Sequence, residues 1–337
     1  MNNRITAPAQ RDTYWDTVKA ILIFLVIFGH MIQFFMYHGE TADDFWTDPV
    51  FKGIYLFHMP LFMMVSGYFA ARSVKRHSWK SIPRYLQRLA LPCLGMAIIY
   101  LIISLIQGSA SFSAFGGGGV SLWFLIVAFE CVVGYLLMQM HGAWWYKLFL
   151  FIIPIPIAVW CSTLSGFYTT LNQFTYLWPI FIIGAVLSSS GFSHNKINWK
   201  WGFFLLGFIP LYFLFQPTWY VYKLPLEGNL HSVLINIFRT MTAIIGSGAV
   251  LWISRYLHSL IGRYSIVKNL GRSTLAIYVL QTLFFEKIHC DFLKTSHYGY
   301  ALLQSILLLL LLYFIYLVTR RIPLVSLLMY GEKHSAR

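Results

Sequence analysis

Apolar stretches of roughly 20 residues succeed one another almost without pause from residue 18 to residue 319, and nothing else in this chain constrains its fold as strongly. A run of that length crosses the hydrocarbon core as a helix, because each backbone N–H and C=O must find its partner within the segment. Ten such segments are expected, at 18–36, 51–71, 84–106, 120–140, 145–163, 171–188, 201–217, 230–253, 271–288 and 299–319. Pro154, Pro156 and Pro210 predict kinks in the fifth and seventh. Charged residues make up 11% of the chain, against about 25% in soluble domains, which excludes a soluble globular protein. The expected architecture is an all-α polytopic membrane protein of about ten transmembrane helices, with both termini cytoplasmic and no soluble domain. Residues 1–337 then form a single integral-membrane domain, flanked by cytoplasmic tails at 1–15 and 321–337.

The formal net charge of +14 would suggest nucleic acid as the partner of a soluble protein. Placement argues otherwise. Assigning alternate loops to the two sides puts 20 of the 25 Lys and Arg with the N-terminus, including the cluster from Arg72 to Arg88, so that side is cytoplasmic. Glu40, Asp43, Asp44, Asp48, Glu227 and Asp291 fall on the opposite face. The basic loops therefore suit anionic membrane lipids, and no nucleic-acid partner is expected. Cys93, Cys131, Cys161 and Cys290 show no metal-ligand spacing, so no metal is expected. The glycine run 116–119 lacks the Lys-Ser or Lys-Thr ending of a phosphate loop and reads as a flexible connection. No small-residue cleavage site follows the first span, which is expected to stay in the membrane.

Ionisable side chains inside spans cost several kcal/mol unless they meet a partner or a wet cavity, so function is sought there first. His30 lies eleven residues beyond Lys19, about 16 Å further out. His58 reaches a similar depth on the second span, and the two histidines could share one outer cavity. Glu130 and Arg239 have opposite charge at similar depth, either as a buried ion pair joining two helices or as a substrate-orienting pair. Trp123 lies two turns from Glu130 on the same helical face, which suits either a sugar ring or core packing. His231 and Asn236 line the outer part of the eighth span. At the cytoplasmic ends, Lys19, Arg84 and Arg88 with Arg72 and Arg76 form a basic mouth suited to the phosphates of coenzyme A, although positive-inside topology also accounts for them.

An inner anion site and an outer histidine together permit acyl transfer across a membrane. A hydroxyl is a weak nucleophile at neutral pH. His30 as its general base would contribute about 10²- to 10⁴-fold, and His58 or Arg239 would stabilise the oxyanion.

The run Asp16-Thr-Val-Lys-Ala-Ile-Leu-Ile-Phe-Leu-Val-Ile-Phe-Gly-His30 resembles the first span of the membrane-bound acyltransferase family 3, in its branch of fucose 4-O-acetylase-like and other surface-polysaccharide O-acyltransferases. The run Phe57-His-Met-Pro-Leu-Phe-Met-Met-Val-Ser-Gly-Tyr-Phe69 resembles the second-span motif, and Arg84 to Pro92 the basic start of the third. Leu122-Trp-Phe-Leu125 and Gly271-Arg-Ser-Thr-Leu-Ala-Ile-Tyr278 continue the resemblance. It implies a bacterial inner-membrane, multi-pass enzyme that uses cytoplasmic acetyl-CoA or another acyl-CoA to modify hydroxyls of an exopolysaccharide or other envelope glycan, with His30 essential and Lys19, Arg84 and Arg88 on the donor side. Polysaccharide synthesis or export machinery would be its protein partner. Two departures stand out: Lys19 where many relatives carry Arg, and Gln281, counted here among the substrate-binding residues, where relatives often carry His.

Two rival readings use the same residues. A secondary transporter or lipid-linked sugar flippase would employ His30, His58, Glu130 and Arg239 as proton-relay or substrate groups without any acyl donor. A non-catalytic assembly partner of a polysaccharide synthase would be indifferent to loss of His30.

Overall fold

The computed structural model describes residues 12–37, 44–108, 121–162, 169–224, 227, 229–287 and 291–333. All regular structure among them is helical. Six helical segments are long and apolar enough to cross a bilayer: Tyr14–Met36, Pro49–Lys75, Trp79–Ile106, Thr170–Ser189, Leu230–Ile261 and Tyr298–Thr319. They coincide with the first, second, third, sixth, eighth and tenth expected spans.

In chain order, α1 is Tyr14–Met31, extended by a π-helical turn Ile32–Met36; α2 is Pro49–Tyr55; and α3 is His58–His77. A π-helical turn Leu86–Ala90 leads into α4, Leu91–Ile106, followed by α5, Trp123–Met140. The fifth expected span is two helices, α6 Trp144–Ile152 and α7 Pro154–Ser162, broken where Pro154 lacks an N–H to continue the ladder. Next come α8, Thr169–Ser189, and α9, Gly202–Leu214, which runs through Pro210 without ending. The long α10, Leu230–Ile261, leads to α11, Ser265–Arg272, α12, Thr274–Lys287, α13, Tyr298–Thr319, and α14, Pro323–Tyr330.

Two expected boundaries shift. The ninth span begins at Thr274 rather than residue 271, because the preceding turn closes on itself: Ser273 Oγ donates to Asn269 O at 2.7 Å. Its 14 residues extend about 21 Å. The segment expected as a cytoplasmic tail contains α14, which packs on α4 and buries Tyr330 and Met329. Gly331 closes that helix at φ 62°, a left-handed conformation natural to glycine, and Gln87 Nε2 donates to its carbonyl at 2.7 Å.

The first helix is the central rod. It packs against α3, α10, α11, α12 and α13, and Val18, Leu22, Ile23 and Ile27 are buried in the contact. By contrast α13 leaves Leu303, Ile306, Leu307, Leu310 and Leu311 exposed, a stripe suited to lipid tails rather than water. Helices α3 and α8 cross backbone against backbone: a Cβ on Gly184 would stand 1.9 Å from Met64 O, and one on Gly67 2.0 Å from Phe181 O. Such mutual approach of small residues is how helices associate where lipid offers no hydrophobic drive.

Candidate active site

His30 sits in the last turn of α1, immediately before the π-helical turn, a local widening of the helix often found where a side chain must be aimed. Its Nδ1 lies 2.7 Å from Gln281 Oε1 on α12. The orientation of that amide is fixed by its other end: Gln281 Nε2 donates to Thr282 Oγ1 at 3.0 Å, and Thr282 Oγ1 donates to Tyr278 O at 2.9 Å. An amide oxygen only accepts, so Nδ1 carries the proton and Nε2 presents a lone pair. The rings of Phe34 and Phe285 stand edge-on to the imidazole at 5.8 and 5.2 Å. The result is a neutral histidine with one nitrogen committed and the other available to take a proton.

His58 arises from a different local device. Pro60 has no N–H to offer the carbonyl four residues back, so the second span breaks at Leu56 and Phe57, and His58 becomes the first residue of α3. Its Nδ1 donates to Ile54 O at 2.9 Å, which again leaves Nε2 as the acceptor. Asp48 fixes the start of α2 by accepting from the N–H groups of Val50 and Phe51, and it also accepts from the hydroxyls of Tyr37 and Tyr298. That carboxylate thereby ties the outer ends of α1, α2 and α13 together.

A cavity opens beside His58, lined by Tyr55, Trp123, Gln173, Tyr176, Trp219, Tyr220, Tyr222 and Arg239 among others. His30 is not part of its wall. The ring of Tyr55 lies 4.5 Å from that of His58 and so close to Gly29, the residue before His30, that a Cβ there would stand 2.9 Å from it. The Tyr55 hydroxyl donates to Gln33 Oε1 at 3.3 Å, on the turn after His30.

The structure does not bring Glu130 and Arg239 together. Arg239 Nε donates to Asn236 Oδ1 at 2.8 Å, its Nη1 donates to Leu224 O at 3.1 Å, and its guanidinium lies 5.4 Å from the Tyr176 ring centre. Glu130 Oε2 is buried with no hydrogen-bond partner among the described residues. Asn236 positions Arg239 rather than lining the cavity, while His231, the second residue of α10, is exposed and not part of the cavity wall. Gln281, expected among substrate-binding residues, is fully buried and faces His30. Trp123 does line the cavity, and its ring meets that of Tyr222 at 5.8 Å.

At the opposite end the basic residues fall into two groups by their contacts. Lys19 Nζ pairs with Asp16 Oδ1 at 3.0 Å, and Arg272 Nε stands 3.8 Å from the other oxygen of that nearly buried carboxylate. Arg72 donates to the Tyr68 hydroxyl and lies 4.4 Å from its ring centre. Arg84 and Arg88 are exposed, on the short turn and π-helical turn before α4, and neither is ion-paired within 4 Å among the described residues. The side chain of Arg76 lies outside the described residues.

Several residues of the site did not stand out in the sequence. Gln173 and Tyr220 look like ordinary members of apolar runs, yet Gln173 Oε1 and Tyr220 Oη are both buried without a hydrogen-bond partner. Burial, reinforced by neighbouring phenols, pushes the Tyr220 hydroxyl above the ordinary tyrosine value, so it stays a neutral donor. Glu286 takes hydrogen bonds from the hydroxyls of Ser121 and Tyr100 beneath Lys287, a cluster that a lone Glu near the end of an apolar run could have signalled.

A model of the acyltransferase domain family matches residues 12–320. The protein named Nodulation protein NolL in Mesorhizobium japonicum is 30% identical over 298 residues, which cover 82% of this chain and 77% of that protein. The protein of the same name in Sinorhizobium fredii is 33% identical over 194 residues, covering 53% of this chain and 50% of the relative. No solved structure matches.

Proposed function

The chain belongs to the acyltransferase domain family, and from that premise we propose that it carries an acyl group, acetyl first among them, from cytoplasmic acyl-CoA to a hydroxyl of an envelope or exported polysaccharide or its lipid-linked precursor. The observation that carries the chemistry is the bond from His30 Nδ1 to Gln281 Oε1, which leaves Nε2 as a proton acceptor. In this reading the acceptor hydroxyl gives its proton to Nε2 as its oxygen attacks the thioester carbonyl. The C–S bond then breaks, and the coenzyme A thiolate recovers a proton from the imidazolium. Direct transfer and a prior acyl-histidine both require this nitrogen. Gln281 serves as a positioning residue, holding the tautomer as a carboxylate or carbonyl does for other catalytic histidines.

On the donor side, Arg84 and Arg88 suit phosphates because they are exposed and not ion-paired among the described residues. Completing the six long helices with α5, the α6–α7 pair, α9 and α12 gives ten spans with both termini cytoplasmic in a bacterial inner membrane. The direction of transfer depends on that topology. Export or synthesis machinery for the glycan would supply the acceptor at the outer face.

Glycan mass spectrometry on cells with the wild-type protein, His30→Ala or no protein tests this reading. An alkali-labile mass of one acyl group is expected with wild type alone. Its absence from every exported glycan, with expression verified, would contradict acyl transfer and favour solute transport.

A further inference from the structure

The cavity beside His58 contains a positive charge that has no counter-ion among the described residues. Arg239 is 3% exposed, and no carboxylate pairs with it among the described residues. Two of its five N–H groups are committed, to Asn236 Oδ1 and Leu224 O, both neutral oxygens. Buried charges are ordinarily paired, because leaving one uncompensated in a low-dielectric surround costs several kcal/mol. The same wall holds an orphan donor, Tyr220 Oη, and an orphan acceptor, Gln173 Oε1, each on a side chain 4% exposed. Native proteins leave few such groups unsatisfied, and several converging on the wall of one cavity mark a place where a ligand completes the bonding.

We propose that this cavity is the acceptor subsite and that it selects an acceptor bearing an anionic oxygen group, a carboxylate or phosphate, which Arg239 binds while the aromatic walls hold the sugar ring. The inference deepens the acyltransfer reading and rests on it only for the word acceptor. A planar guanidinium with free N–H groups matches two oxygens of one anion, and the surrounding low dielectric strengthens that contact. Trp123 and Trp219 line the cavity with apolar rings, while Tyr220 and Gln173 supply one donor and one acceptor for the sugar hydroxyls. Tyr55 lines the same cavity and touches Gly29, the residue before His30, so an acceptor anchored at Arg239 would lie on the wall that leads towards His30.

Equilibrium binding to the purified full chain in detergent, with no acyl donor present, tests the subsite apart from the chemistry. The probes are tetragalacturonate for a carboxylate, glucose 1-phosphate for a phosphate and cellotetraose as the neutral control. At least one anionic probe is expected to bind about tenfold tighter than cellotetraose, to lose about tenfold with Arg239→Gln and to recover most of that with Arg239→Lys. Whichever anion binds names the source. His30→Ala is expected to bind the same probe as wild type does. That variant isolates the two ideas, since failed acyl transfer in cells would leave this binding intact. Equal affinity for neutral and anionic probes would overturn the proposal, as would no binding of either anion or anion binding insensitive to Arg239→Gln in a variant that purifies folded.

Discussion

The two ends of the bundle use cations in opposite ways. On the inner side Arg72, Arg84 and Arg88 are exposed and Lys19 and Arg272 share the Asp16 carboxylate, so each charge keeps solvent or a counter-ion. At the other end Arg239 is buried among tyrosines and neutral oxygens, in a cavity that His58 also lines with its Nδ1 proton committed to the Ile54 carbonyl. A solvated cation binds loosely and is screened by salt, whereas a buried one discriminates by shape and charge. In the proposed reading the first end collects a highly charged donor, and the second orients an acceptor and moves a proton.

Substitutions can break this contrast at its sharpest point first. His30→Ala removes the proton acceptor and should lower turnover by about 10²- to 10⁴-fold while leaving the amount of protein in the membrane unchanged, as immunoblotting of membranes would show. Gln281→Ala leaves the imidazole in place but frees its tautomer, and a loss of about tenfold to a hundredfold in kcat with little change in the KM for acyl-CoA is expected from steady-state kinetics. If KM moved instead, Gln281 would touch substrate rather than position the histidine. Arg88→Ala at the inner end should do the reverse, raising the KM for acyl-CoA by about tenfold with kcat nearly held. The smallest effect distinguishes the ends without mutation. Raising salt from about 0.05 to 0.5 M should increase the KM for acyl-CoA a few-fold, and change the affinity of the outer cavity for its ligand less.

The fold was largely legible in the sequence because the bilayer imposes a length and an apolar composition that are read locally. Six of the ten expected spans are long apolar helices, and Pro154 divides the fifth, whereas α9 runs through Pro210. The start of α12 was not legible, since the Ser273 side chain bonds back to Asn269 O and closes the preceding turn. Helix α14 was hidden because eight residues are too few to cross a membrane, and its place is set by packing on α4 and α12.

For the site, residue types were readable and their partners were not. The sequence offered one cavity for His30 and His58, but only His58 lines it. It also offered Glu130 as a partner for Arg239, whose bonds go instead to Asn236 and Leu224. Gln281 drew notice only as a departure from a resemblance. Its contact with His30 spans 251 positions, beyond any local pattern.

The most direct measurement follows label from donor to acceptor. Inside-out membrane vesicles containing wild-type protein or His30→Ala would be loaded with an acceptor glycan fraction and given acetyl-CoA labelled in the acetyl group on the outside, now the cytoplasmic face. The account predicts label inside the vesicles, on glycan, released by mild alkali and dependent on His30. Equal labelling with His30→Ala would contradict the central role of His30. No glycan labelling by wild-type vesicles, with the acceptor shown to be present inside, would contradict transfer across the membrane itself.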